Sequence, residues 1–228
     1  MKKKHLIDLH IHSHFSDGKL SIAEIVDLYG QKGFSAIAIT DHLADSQTLT
    51  GYVTHQLNLS LSALRMPRYL EEIEKEARRA RDKYNMLVLP GVEVTLNAWS
   101  KKRGVHFVLL NVDRFINPDD SVKNILKNNR DFFSIAAHPI WDESYEFKTR
   151  YLWDNRHELS PYIDAWECAT AQKFSREVYQ SDYAVVSSSD FHHPKKFESW
   201  KMQAYLEDLN CENLFSQIRQ RQVEPVWI

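Results

Sequence analysis

Six separate stretches of the chain each end in, or open on, a residue that binds metal. "LIDLHIHSHFSDG" carries His10, His12, His14 and Asp17; "AIAITDH" ends in Asp41 and His42; "MLVLPGVEVT" holds Glu93; "GVHFVLL" holds His106; "FFSIAAHP" ends in His138; "VVSSSDFHH" ends in Asp190, His192 and His193. Imidazole and carboxylate are the ligands of zinc, manganese and iron, and one carboxylate can bridge two ions while neutral imidazoles fill their remaining positions. A lone strand-end histidine is usually a satisfied core or surface residue. Repetition over six strands that one fold would gather at a single face is what points to a metal centre.

The elements that must position these residues follow from periodicity. Short apolar runs predict strands near residues 5–12, 35–41, 86–95, 105–112, 132–138, 163–168 and 184–189. Alternation along the first sends His10 and His12 to the same side. "LSIAEIVDLYGQKG" predicts a helix capped by Ser21 and Glu24 and closed at Gly33, and "PRYLEEIEKEARRARDKY" predicts one from Pro67, with Leu70, Ile73, Ala77 and Ala80 on its apolar face. Further helices fit 119–130, 172–181 and 210–222. Runs such as "SAIAIT" are apolar on both faces, which argues for parallel strands covered by helices. That leaves an open doubly wound sheet or a TIM-type barrel, and both place their sites at the carboxyl ends of the strands.

Composition narrows the function classes. At 228 residues, with 43% hydrophobic and 26% charged, the chain reads as one domain over 1–228, and its net charge of -2 supplies no basic excess for tracking nucleic acid. Two cysteines outside any CxxC pair build no disulfide framework, and Cys168 reads as core. No apolar run is long enough to span a membrane, and Asp8, His10 and His12 interrupt the stretch a signal peptide would need. The expectation is a cytoplasmic protein with no membrane partner.

The ordered set "DLHIHSHFSDG", "ITDH", "PGVEVT", "GVHFVLL", "AAHP" and "SSSDFHH" resembles that of the PHP (polymerase and histidinol phosphatase) family of metal-dependent phosphoesterases, over residues 5 to about 193. The resemblance implies an α/β fold, a distorted seven-stranded (β/α)7 TIM-like barrel with the metal site at the carboxyl ends of its strands. It implies two to three divalent ions (Zn, Mn or Fe): His10 and His12 on one ion with Glu93 and Asp190; Glu93 bridging to a second ion on His106 and His138; Asp17, His42 and His192 on a third. All nine ligand positions carry ligand-type residues. After strand six, "CATAQKFS" lacks the asparagine of many family members.

The chemistry such a centre suits is phosphate ester hydrolysis: the ions lower the pKa of a bound water to give hydroxide near neutral pH and neutralise the phosphoryl oxygens. Candidate catalytic residues are Glu93 and Asp41; Asp41, His14 and His193 are the groups near enough to protonate a leaving alkoxide. Of these, Asp41 reads better as orienting a ligand histidine, and His14 as solvated or capping. Candidate substrate-binding cations are Arg65 and Arg68, which close the long segment 43–67, and Lys101 and Arg103 in "WSKKRG". That segment carries a short helix near 54–64 and reads as a lid or specificity wall over the metals. The aromatic stretch after His138 reads as packing at the barrel mouth.

The leading expectation is hydrolysis of a small phosphorylated metabolite or nucleotide by a metal-bound hydroxide. The alternative is a 5′ to 3′ exonuclease or oligonucleotide phosphodiesterase acting on a short oligonucleotide, without a stable nucleic-acid complex. A non-catalytic metal-binding module and a C–N hydrolase of the amidohydrolase type rank below these.

Overall fold

The computed structural model describes residues 2–46, 56–57, 59–96, 104–140 and 149–228. Strands β1 (Lys3–Ile11), β2 (Ala36–Ile39), β3 (His42–Ala44), β4 (Leu87–Leu96), β5 (Val105–Leu110), β6 (Phe133–Ala136), β7 (Ala165–Thr170), β8 (Lys173–Phe174), β9 (Val185–Ser188), β10 (Trp200–Leu206) and β11 (Val223–Trp227) join in one curled sheet. The helices among the described residues are α1 (Ile22–Gln31), α2 (Met66–Tyr84), α3 (Val122–Asn128), α4 (Tyr151–Asp154), α5 (Arg156–Leu159), α6 (Arg176–Tyr179) and α7 (Cys211–Arg219).

This is a mixed α/β fold, and it departs from an all-parallel barrel in two places. β1, β2 and β4 run parallel, as do β6, β7 and β9, but β5 is antiparallel to both of its neighbours, β4 and β6. Only residues 97–104 separate β4 from β5, too few for the dozen or more that a parallel crossover needs. At the other end, β10 and β11 extend the sheet as an antiparallel pair beside β1. A parallel bridge from Ile11 to Phe191 ties the chain after β9 back to β1 and draws the sheet round on itself.

The local rules explain most elements. Ser21 and Glu24 form the expected capping box on α1, and Gly33, at φ 79°, turns the chain away in the left-handed region just beyond the helix. Along β2, Ile37 and Ile39 face a cluster containing Ile22, Ile25 and Tyr29 of α1 and Tyr69 and Ile73 of α2. Ala36 and Ala38 face a second cluster with Leu9, Leu89, Val108 and Ile135, to which α7 adds Leu214 and Ile218. Burial of both faces is what the apolar runs imply.

Three expectations need correction. The strand predicted over 35–41 breaks at Thr40 and Asp41 into β2 and β3. The helix predicted over 172–181 is a hairpin strand, β8, followed by the single turn α6. Segment 43–67 is more than a lid: Leu43, Ala44, Ser60 and Leu61 are buried, and Leu43 pairs with Val94 of β4. Of the helix predicted near 54–64, residues 54, 55 and 58 lie outside the described residues, and 59–64 form no helix. Trp153 packs in the core as predicted for the aromatic stretch, and Cys168 is buried with its thiol donating to Val186 O. Among the described residues, no helix is long and apolar enough to cross a membrane.

Candidate metal centre

Each ligand-type side chain reaches one rim of the sheet for a reason visible in the backbone. β1 carries His10 and runs directly into His12, and the bond from His12 N–H to Phe191 O keeps that end against the chain after β9. The break between β2 and β3 sets His42 directly beside Glu93 in the β3–β4 register. Because β5 is reversed, its first residues, not its last, lie at the carboxyl end of β4, and His106 pairs across from Thr95. Asp190 and His138 follow the ends of β9 and β6 with left-handed backbones, φ 50° and 27°. Such conformations cost on the order of 1–3 kcal/mol for non-glycine residues and persist where the surroundings over-determine them.

Glu93 is the hub. Its Oε1 lies 3.0 Å from His106 Nδ1, 3.2 Å from His138 Nε2 and 3.4 Å from His10 Nε2; its Oε2 lies 2.7 Å from His42 Nδ1 and 3.7 Å from His12 Nε2. Asp190 Oδ1 stands 3.3 Å from His12 Nε2 and 3.5 Å from His10 Nε2, while Asp17 Oδ1 stands 3.2 Å from His192 Nε2 and 3.6 Å from His42 Nε2. The ligand atoms resolve into three groups, each gathered within 4.8 Å: His10, His12 and Asp190; Glu93, His106 and His138; His12, Asp17, His42 and His192. Two differences from the expected sets stand out: Glu93 groups with His106 and His138 and not with His10, His12 and Asp190, and His12 also reaches the third group.

The donors fit metal ions. His10 Nε2, both ring nitrogens of His12, Asp17 Oδ1 and Glu93 Oε2 are buried without a hydrogen-bond partner. His42 Nδ1, besides its 2.7 Å approach to Glu93 Oε2, hydrogen-bonds Thr95 Oγ1 at 2.9 Å. Each orphaned buried polar atom costs about 1–3 kcal/mol. Five such atoms brought together, with no lysine or arginine among them, make a donor set that fits divalent cations.

Electrostatics say the same. Burial would raise the Glu93 carboxyl, but His106, His42 and His10 outweigh it and hold it well below the usual range; Asp190 is held down likewise by His192 and His10. Burial, with His192 and His42 beside it, drives His12 down to about 3, so this imidazole is neutral and ready to ligate. His192 is also opposed by burial, yet the Asp190 and Asp17 carboxylates raise it to about 9. In the metal-free protein His192 is therefore protonated below about pH 9, and an ion must displace that proton. Apparent metal affinity should rise about tenfold per pH unit for each proton displaced as pH climbs from 6 towards 9, then level. Calorimetry at pH 7 in buffers of different ionisation enthalpy should detect the proton release.

Around the ligands stand two fully buried carboxylates. Glu167 of β7, which sequence reasoning missed, accepts from Ser188 Oγ, from Thr170 Oγ1 at 2.8 Å and from His138 N–H at 2.7 Å, and lies 3.0 Å from His10 Nδ1. Its signal was an acid inside the apolar run "AWECAT". Thr170, in the stretch "CATAQKFS" that lacks an asparagine, donates to Glu167. The Asp41 carboxylate bonds no histidine: it accepts from Ser13 N–H at 2.8 Å, Ser13 Oγ at 2.6 Å and Ser16 Oγ at 2.5 Å, holding the turn that leads to Asp17. A Cβ on Gly18 would meet His12 O at 2.2 Å, so the same turn has no room for one. Gly18→Ala should cost about 1–3 kcal/mol by overpacking and displace Asp17, read as an earlier melt and weaker metal binding.

The remaining predicted residues divide. Arg65 donates to Ser60 O at 2.7 Å and lies over the Phe15 ring, and with Arg68, His14 and Leu64 it lines a cavity of about 330 Å³ beside the Asp17 turn. His14 is exposed, and His193 accepts from Lys195 N–H as a cap. Lys101 and Arg103 lie outside the described residues.

Fold and site together define an α/β scaffold with a candidate polynuclear metal centre. The family model of the PHP domain matches residues 8–178, and the chain belongs to that family. Comparison with curated proteins finds no match. Among solved structures, the chain is similar to a two-domain protein from Bacteroides vulgatus containing a predicted PHP-like metal-dependent phosphoesterase, with TM-score 0.74 and 20% identity over 99% of this chain. The match covers 65% of that protein, so this chain spans about two thirds of its length. It is also similar to an amidohydrolase from Chromobacterium violaceum with bound sulfate and no metal, with TM-score 0.52 and 16% identity over 97% of each chain. A protein from Bifidobacterium adolescentis, inferred to be a metal-dependent phosphoesterase, matches with TM-score 0.52 and 14% identity over 96% of each chain. At these identities the likeness is one of fold.

Proposed function

We propose that the protein hydrolyses phosphate esters of a small phosphorylated metabolite or nucleotide, using two or three divalent ions held by His10, His12, Asp17, His42, Glu93, His106, His138, Asp190 and His192. The observation that carries this reading is the convergence on Glu93: His10 and His12 from β1 and its end, His42 from β3, His106 from β5 and His138 from the loop after β6 approach one buried carboxylate, and His10, His12, Asp17 and Glu93 all bring unpartnered buried atoms. Divalent ions bound there supply Lewis acidity, which makes hydroxide available near neutral pH and offsets the charge of the phosphoryl oxygens.

The chain's own residues do the rest. Thr95 and Thr149 bond the Nδ1 atoms of His42 and His138, fixing their ring planes. Arg65 and Arg68 give the adjoining cavity a positive wall suited to a substrate anion. Zinc, manganese and iron all suit this donor set.

The test is hydrolysis of p-nitrophenyl phosphate, its bis ester, a short RNA with its mononucleotides, and a simple amide, each with added Mn2+. Preference for monoesters or mononucleotides supports the proposal, preference for the RNA moves it to the oligonucleotide phosphodiesterase reading, and cleavage of the amide alone overturns it.

A further inference from the structure

Two buried carboxylates that are not ligands divide the centre between them. We propose that Glu167 is the positioning residue for the ion groups containing His10 and His138, and Asp41 the positioning residue for the group containing Asp17, so that the groups can be loosened separately. This rests on the metal-centre reading above and adds to it which residues hold which ions.

The geometry behind the division is specific. Glu167 reaches the first group at His10 Nδ1, 3.0 Å away, and the second through the backbone N–H of His138, at 2.7 Å. With Nδ1 donating to Glu167, the lone pair of His10 is left on Nε2, the atom that faces Glu93 and Asp190. The bond to His138 N–H fixes a backbone at φ 27°, a conformation that would relax without it. Ser188 and Thr170 hold Glu167 in turn, from β9 and from its own strand. Glu167 makes no hydrogen bond or ion pair with Asp17, His42 or His192.

Asp41 does the corresponding work on the other side. Its three bonds to Ser13 and Ser16 shape the turn between His12 and Asp17, and the backbone bonds from Ser16 N–H and Gly18 N–H to Ser13 O complete it. Tyr69 Oη, which donates elsewhere to Ile39 O and Gly91 O, accepts from Asp41 N–H at 3.2 Å and so fixes the β2–β3 break that aims His42. Asp41 makes no hydrogen bond to His10, His106 or His138.

The test is calorimetric titration of the metal-stripped full chain with Mn2+, for wild type, Glu167→Gln and Asp41→Asn, with thermal melting of the stripped proteins as the fold control. Glu167→Gln should weaken binding at the His10 and His138 groups by about 10–100-fold and spare the Asp17 group; Asp41→Asn should do the reverse. Added to His42→Ala, which disables the Asp17 group, Asp41→Asn should change little further, whereas Glu167→Gln should add its whole loss. Where a variant melts early, the milder Thr170→Val and Ser16→Ala, each removing one bond from its carboxylate, must show the same division at smaller size. Equal losses at all groups from both carboxylates, or none from either, overturn the division. A wild type that binds no Mn2+ overturns the metal-centre reading instead.

Discussion

Glu93→Ala should abolish hydrolysis and strip the protein of more than one ion, the largest effect of any single substitution here. Among the described residues Glu93 alone lies within 3.7 Å of His10, His12, His42, His106 and His138, so its loss removes a contact to all three groups at once. Metal-derived charge stabilisation is worth several kcal/mol in the transition state, so a fall in kcat/KM on the order of 10³-fold or more follows. Glu93→Gln keeps the shape and removes the charge. It should lose metal nearly as completely, because the amide is a poor ligand and leaves the surrounding imidazoles without their counter-charge. Elemental analysis beside activity separates the cases: activity lost with metal retained would mean that Glu93 acts in the reaction and not in holding ions.

The second large effect belongs to His12→Ala, which should abolish activity while leaving the fold in place. His12 is fully buried, which by itself would argue for a large loss of stability. But both its ring nitrogens lack partners, and its ring neighbours are His192, at 4.0 Å between centroids, and His42, at 4.3 Å, not apolar core side chains. Truncation removes two unsatisfied groups, and that gain offsets part of the cavity cost. The melting temperature of the metal-stripped variant should therefore move by only a few degrees, on the order expected for about 1 kcal/mol. Because His12 reaches both the His10 and the Asp17 groups, its loss should weaken ions on both sides of the division. Unfolding of the variant even with excess metal would contradict this placement.

The ligand set was legible because chemistry-bearing residue types recur at strand ends, and strand ends can be read from apolar runs. The reversal of β5 was not: "GVHFVLL" reads as a strand in either direction, and only the short 97–104 connection signals the turn back. His106 was found because its residue type, not its direction, carried the signal. β10 and β11 were missed since "WKMQAYL" interleaves lysine, glutamine and tyrosine with its apolar positions, as an antiparallel strand beside an edge does. Glu167 was passed over because it sits mid-strand among apolar neighbours, where a lone acid carries no spacing pattern; only the fold brings it to His10, 157 positions away. Asp41 was found by its neighbour His42 but given the wrong partner, since the turn that folds Ser13 and Ser16 onto it closes through tertiary contacts.

The central claim is that the rim is a polynuclear metal site serving ester hydrolysis. The most direct measurement is the metal content of the purified full chain by elemental analysis, with the same sample assayed for phosphate ester cleavage before and after chelation. The account predicts at least two ions per chain, activity lost with chelator and restored by Mn2+, Zn2+ or Fe2+. Fewer than two ions after reconstitution, with no ester cleaved, would contradict it.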